Sequence, residues 1–174
     1  MARKPQILVA GSSEDHCSEK AYRLAYEVGR EIARNNATLI TGGLGGVMEA
    51  ASRGAKEAGG IVVGIIPHED LEYANKYCDV VVATGIGWAR NFSTAYSADA
   101  VIIIGGGAGT AIEAMVAYFK DKPIIALKGS GGFADRFGGE YLDDRKIRKV
   151  TVAENPSEAV KKALEMIREK KKGD

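Results

Sequence analysis

The chain has little of what usually announces a chemistry. Among its 174 residues are two cysteines, Cys17 and Cys78, whose separation matches no metal-ligand spacing. So few thiols point to a reducing compartment rather than to a disulfide framework. His16 lies beside Cys17, but adjacent residues with no companion cluster do not build a metal site, and none is expected. No apolar run reaches the ~18 residues that a membrane span needs. Met1-Ala2-Arg3-Lys4 leads straight into a strand-like run, with no leader pattern. The expectation is a cytoplasmic protein with no membrane partner. An excess of charge is missing too: 24 Lys and Arg against 23 Asp and Glu leave a formal net charge of +1. No global field favours nucleic acid or anionic lipid. The basic cluster sits only at Arg168–Lys172, so a nucleic-acid partner is not expected.

Two phosphate-binding signatures are also absent. The nucleoside-triphosphate loop needs Lys-Ser or Lys-Thr after its last glycine, and "GGGAGTA" at Gly105–Ala111 has no lysine there. The dinucleotide fingerprint follows the first strand, whereas here that strand ends in "GSSEDH". "GSGGFA" from Gly129 fits a looser form of the fingerprint, but it is isolated and late in the chain and reads as coincidence. Nothing marks a lysine for pyridoxal phosphate.

What the chain does have is glycine: 22 residues, against an average usage of about 7%. They gather where short apolar runs end. Strands are predicted at Gln6–Ala10, Thr38–Ile40, Ile61–Ile65, Asp79–Ala83, Ala100–Ile104, Pro123–Leu127 and Val150–Val152, the last at an edge. Helices are predicted at Ser18–Asn35, Val47–Ala58, up to Ala98 after "TGIGWARNF", at Ala108–Lys120, and from Pro156 toward a solvated basic tail at 168–174. "KGSGGFADRFGG" reads as a glycine-rich loop, either a hinged lid or a mobile surface segment. Continuous apolar strands alternating with amphipathic helices predict an α/β fold with helices on both faces of a mostly parallel sheet. That makes a single doubly wound, Rossmann-like domain over residues 1–174, and such sheets bind ligands beyond the carboxyl ends of their strands.

The glycines at Gly42–Gly46 and Gly105–Gly109 fall at those ends. In "AVIIIGGGAGTAIEAM" (Ala100–Met115) a buried strand hands over to a helix through glycines. A helix N-terminus presents unpaired N–H groups and a partial positive charge, which suits phosphate oxygens. Backbone amides from Gly106 to Thr110 are expected to face an anion, with the Thr110 hydroxyl as a further donor. The macrodipole contributes only ~0.3–1 kcal/mol, so charge-assisted hydrogen bonds at roughly 1.5–3 kcal/mol each must do most of the holding.

"GGLGGVMEA" at Gly42–Ala50, "ARNF" at Ala89–Phe92 and "GGGAGTAIE" at Gly105–Glu113, in that order, together resemble the LOG family, once labelled lysine-decarboxylase-like. Its cytokinin-activating branch carries PGGxGTxxE preceded by an Arg-Lys pair. Members of that branch are phosphoribohydrolases, which split a nucleoside 5′-monophosphate into free base and ribose 5-phosphate. The resemblance implies catalytic roles for Arg90, gripping the substrate, and Glu113, stabilising the cationic sugar or activating water. This chain departs by carrying Asn91 where the hydrolases have lysine, and Gly105 where they have proline. "GxARN", "GGGxGT" and "GGFADRFGGEYLD" are more similar to the molybdenum-cofactor carrier proteins of the same superfamily, which bind a phosphorylated pterin and release it unchanged. The resemblance therefore implies binding of a phosphorylated nucleotide-like or pterin ligand, with molybdenum cofactor or a nucleotide as a possible cargo and no cofactor required. It also implies a homo-oligomer. A DNA-binding role, as in a DNA-processing relative of the superfamily, is the remotest alternative.

The expected ligand-contacting set is Gly11, Ser12, Ser13, Gly42, Gly43, Gly45, Gly46, Arg90, Asn91, Gly105, Gly106, Gly107, Gly109, Thr110 and Glu113. Arg90 follows "GIGW" at a helix start, where a cation is unfavourable unless an anion offsets it. Ser12 and Ser13 either donate to phosphate or turn the chain. Asn91 either contacts the ligand or caps the following helix. Glu49 reads as complementing a helix dipole, and Trp88 as a packing or oligomer contact with stacking on a planar ring as its other role.

Overall fold

A computed structural model describes residues 3–173; Met1, Ala2 and Asp174 lie outside them. Seven strands are β1 (Gln6–Gly11), β2 (Thr38–Thr41), β3 (Ile61–Ile66), β4 (Val80–Ala83), β5 (Ala100–Ile104), β6 (Ile124–Leu127) and β7 (Thr151–Ala153). Six helices are α1 (Glu19–Arg34), α2 (Val47–Glu57), α3 (Arg90–Tyr96), α4 (Ala108–Phe119), α5 (Gly132–Phe137) and α6 (Pro156–Gly173). The strands form one sheet in the order β4-β3-β2-β1-β5-β6-β7, with every pairing parallel. The α/β, Rossmann-like architecture follows, with β7 at an edge as expected.

Why both sheet faces are covered is visible along β1 and β5. Ile7 and Val9, with Ala100, Ile102 and Ile104, join one core beneath α1, α2 and α6. Leu8 and Ala10, with Val101 and Ile103, join the other beneath α3, α4 and α5. A strand buried on both faces has no polar alternation, hence "ILVA" and "AVIII".

From β1 the chain winds outward through β2, β3 and β4, then crosses back to place β5 on the other side of β1. The reversal opens a crevice at the carboxyl ends of β1 and β5. Register sets its depth: Gly11 pairs with Ile104, so the loops beginning at Ser12 and Gly105 leave the sheet side by side.

Three segments differ from expectation. Helix α3 stops at Tyr96 rather than Ala98, because the Lys122 ammonium binds the carbonyls of Ala95, Tyr96 and Ala98 at 2.7–2.9 Å. Part of the glycine-rich loop is helix α5, which has no sequence periodicity to betray it. Its stacked Phe133 and Phe137 pack onto the second core. Residues 168–173 are exposed as expected, apart from half-buried Lys170, but are helical rather than an extended tail: they are the last turns of α6, and Lys170 binds the carbonyls of Lys120 and Asp121 behind α4.

Candidate functional site

The two loops of the crevice are stitched together by serine hydroxyls. The Gly106 N–H donates to Ser12 Oγ at 2.9 Å, and the Gly105 N–H donates to Ser130 Oγ at 2.9 Å. Ser130 in turn donates to the Leu127 carbonyl at 2.6 Å. The "GSGGFA" stretch, although no dinucleotide fingerprint, thus builds this corner. Gly132 lies flat on the Gly105–Gly106 backbone, where a side chain would collide with the Gly106 carbonyl. The N–H groups of Phe133 and Ala134 donate to Gly106 and Gly105, and the Asp135 carboxylate accepts from Gly129 and Gly131. The structure presents this segment as a hydrogen-bonded wall of the crevice.

Helix α4 begins immediately above. Its first backbone bond within the turn runs from Ala111 to Gly107, which leaves the N–H groups of Gly107, Ala108, Gly109 and Thr110 without an acceptor among the described residues. The expected range of free amides, Gly106–Thr110, is corrected at one end, because Gly106 is already committed to Ser12. The Thr110 hydroxyl is also committed: it donates to the Gly11 carbonyl at 3.3 Å. Ser12, accepting from Gly106, both holds the turn and retains a hydroxyl hydrogen to donate.

These groups line a cavity of about 690 Å³. Of the expected set, Gly11, Ser12, Ser13, Gly42, Arg90, Asn91, Gly105, Gly106, Gly107, Gly109, Thr110 and Glu113 line it. Gly43, Gly45 and Gly46 do not: they pack against Ile66, Glu14 and the Ser12–Ser13 backbone respectively. The sequence reading missed Met48, Leu44, His16, Ser18 and Ser130, and left Trp88 outside the set, although all line the cavity. "GSGG" at 129–132 was the one signal that pointed to Ser130. Trp88 is 81% exposed and stands against Gly109 at the mouth. Glu49 is in the first turn of α2 and does not line the cavity.

Arg90 and Glu113 carry the electrostatics. Arg90 opens α3 yet is only 8% exposed. Its guanidinium lies over Gly42, and its buried Nε has no hydrogen-bond partner among the described residues. Burial pulls its pKa down from the usual guanidinium value, against the opposing charge of Glu113. Glu113, one turn into α4, is 5% exposed. Burial pushes its pKa up to about 7, although the Thr94 hydroxyl and Arg90 both pull it down. Thr94 Oγ1 lies 2.6 Å from Glu113 Oε1. Asn91 does not cap α3: the capping position is Ala89, which makes no side-chain bond. Its own side chain is buried, lines the cavity and stands near Gly109.

The site thus unites free backbone donors, one buried guanidinium, one carboxyl poised near neutrality and an exposed indole. Residues 4–160 match the model of the SLOG cluster4 family. The chain belongs to that family. A protein of Archaeoglobus fulgidus is 46% identical over 123 residues, 71% of this chain and 80% of its own length. The molybdenum cofactor binding protein of the phototrophic bacterium Rippkaea orientalis superposes with a TM-score of 0.85 at 32% identity, covering 96% of this chain and 99% of that one. The molybdenum cofactor carrier protein of Chlamydomonas reinhardtii gives 0.82 at 32% identity, covering 95% and 99%. A cytokinin riboside 5′-monophosphate phosphoribohydrolase of Mycobacterium tuberculosis is 36% identical over 120 residues, 63% of this chain and 64% of its own length. The SLOG cluster4 chain therefore stands near both families that its motifs resemble. Among the described residues no helix is long and apolar enough to cross a membrane.

Proposed function

We propose that this SLOG cluster4 protein is a binder of a phosphorylated small molecule, of the molybdenum-cofactor carrier type. One observation carries the reading: among the described residues, four N–H groups at the start of α4 have no acceptor, the buried Nε of Arg90 has no partner, and all five residues line the same cavity. An oxyanion satisfies both deficits at once. Trp88 offers a face for a planar ring beside them. Among the described residues no group of three or more His, Cys, Asp and Glu is placed to hold a metal ion. A molybdenum-bearing cargo would therefore be gripped by its phosphoryl and ring portions. The likeness to the two cofactor-binding proteins over nearly the whole chain supports the same reading.

Protein purified from a host that makes molybdopterin, then oxidised, should release a fluorescent pterin in a fixed ratio to chain. Absence of pterin under saturating supply overturns the reading. The chain is further read as a single cytoplasmic domain that forms a homo-oligomer. Exposed Phe92 and Tyr96 supply apolar surface for a second copy, and sedimentation velocity tests this.

A second reading rests on Glu113. A carboxyl that titrates near 7 in a buried cavity suits general acid–base work, and a carboxylate beside a ribose stabilises oxocarbenium charge. With Arg90 holding the phosphate, the site would hydrolyse the N-glycosidic bond of a nucleoside 5′-monophosphate. Incubation with AMP and other 5′-monophosphates should then release free base, and Glu113→Gln should abolish the release. A broad panel with no base released removes this reading.

A further inference from the structure

Thr94 stands where α3 meets Glu113. Its side chain is fully buried, with Oγ1 3.0 Å from the Asn91 carbonyl and 2.6 Å from Glu113 Oε1. A threonine hydroxyl has one hydrogen, and a carbonyl on the preceding turn is its ordinary acceptor within a helix. The carbonyl and an ionised Glu113 therefore compete for the same hydrogen. When Glu113 is protonated, both contacts are satisfied: Oε1–H donates to Oγ1, and Oγ1–H donates to the Asn91 carbonyl. When Glu113 is ionised, the hydroxyl hydrogen turns to Oε1 and the carbonyl keeps only its bond within the helix. Only hydrogens move between the two states.

The surroundings favour such an exchange. Thr94 is the one hydrogen-bond partner of the Glu113 carboxyl among the described residues. Arg90 of α3 is the charged side chain that acts on it, and His16 lines the same cavity. The strands packed beneath α4, β1, β5 and β6, carry no titratable side chain. An ionised Glu113 offsets the field of Arg90 and repels an anion across a poorly screened cavity, whereas a neutral one does neither.

We propose that Thr94 is the positioning residue of this site: its hydroxyl lets Glu113 hold or release a proton in place, and the pocket takes up a proton as an oxyanion enters beside Arg90. The proton comes from solvent and stays on Oε1; no other bond forms or breaks. The uptake rests on the oxyanion-binding reading above, while the role of Thr94 does not.

Carboxyl ¹³C titration of the ligand-free protein, with the signal assigned by Glu113→Gln, tests the role of Thr94. The Glu113 midpoint should lie near neutrality and rise by roughly half a unit to one unit in Thr94→Val, because the ionised form loses its donor. Thr94→Ser should restore it. A midpoint in the ordinary carboxylate range, or one that Thr94→Val leaves unmoved, overturns the assignment. Sulfate, which stays dianionic from mildly acidic to mildly alkaline pH, tests the uptake. Its affinity should fall by up to about tenfold per pH unit above the midpoint, with the fall displaced upward in Thr94→Val. Sulfate that binds with equal affinity on both sides of the midpoint overturns the uptake. If neither sulfate nor AMP binds at any pH, the oxyanion reading falls and the uptake with it, and the carboxyl titration still decides Thr94.

Discussion

The guanidinium of Arg90 occupies the space that a side chain at Gly42 would fill. A Cβ built on Gly42 collides with Nη1 of Arg90 and comes within 2.9 Å of its Cζ. The loop after β2 and the start of α3 are therefore one device: the missing side chain of one residue is the seat of the other.

Gly42→Ala should therefore displace Arg90 without removing it. One or two charge-assisted hydrogen bonds to the ligand are lost, each about 1.5–3 kcal/mol, so affinity for the phosphorylated ligand should drop at least about tenfold. Ligand titration by calorimetry checks this, with Arg90→Ala as the reference loss. Unchanged affinity in Gly42→Ala means that Arg90 does not touch the ligand.

Glu113 should tilt the pH dependence of stability. Its pKa rises from an ordinary 4.5 to about 7 on folding, so the folded chain holds this proton more tightly than the unfolded chain. The stabilising contribution is complete below the unfolded value and is lost as pH climbs through about 7. Glu113→Gln carries no such proton and should gain on the wild type by roughly 2–3 kcal/mol between pH 4 and pH 8. Urea unfolding at both pH values measures the difference, and parallel curves would refute it.

The serine stitches should matter to the loop as much as to any ligand. In Ser12→Ala or Ser130→Ala, a Gly106 or Gly105 amide loses its acceptor in a part-buried or buried corner. A cost of about 1–3 kcal/mol follows for each. The loop from Gly105 to Gly107 should then exchange its amide hydrogens faster, as hydrogen–deuterium exchange would report. A change spread evenly over the chain would argue against a local stitch.

Trp88 separates ring recognition from anion recognition. An indole that is 81% exposed contributes little to the core, so Trp88→Ala should leave the melting temperature nearly unchanged. Binding of a planar nucleotide or pterin should weaken by about 1–3 kcal/mol if the ring stacks there, with sulfate affinity preserved. Equal losses for sulfate and for the planar ligand would place Trp88 in the anion subsite instead.

Much of this fold was legible because its signals are local. β1 and β5 are buried on both faces, so their apolar runs needed no partner to be recognised. Val47 and Ala108 open helices after glycines, where chain entropy and capping geometry act within a few residues. Gly105–Glu113 stood out as candidate site residues for the same reason, since the glycines, Thr110 and Glu113 lie in one strand-to-helix junction, and Arg90 stood out as a cation at a helix start. α5 was not legible, because six residues between glycines form a helix only when Phe133 and Phe137 find a core to pack on. Gly43, Gly45 and Gly46 could not be told apart from Gly42, since their differing neighbours, Ile66, Glu14 and the Ser12–Ser13 backbone, are contributed by distant segments.

The sequence by itself determined the parallel α/β plan and the glycine-rich junctions that end its strands, because strand burial and helix-terminal polarity depend on near neighbours along the chain. Only the tertiary structure decided that Gly106 spends its amide on Ser12, that Arg90 rests on Gly42, and that Thr94 faces Glu113. Those pairings join residues 19 to 94 positions apart, beyond the reach of any local signal, and they exist only once the folded sheet has brought the loops after β1, β2 and β5 together with α3.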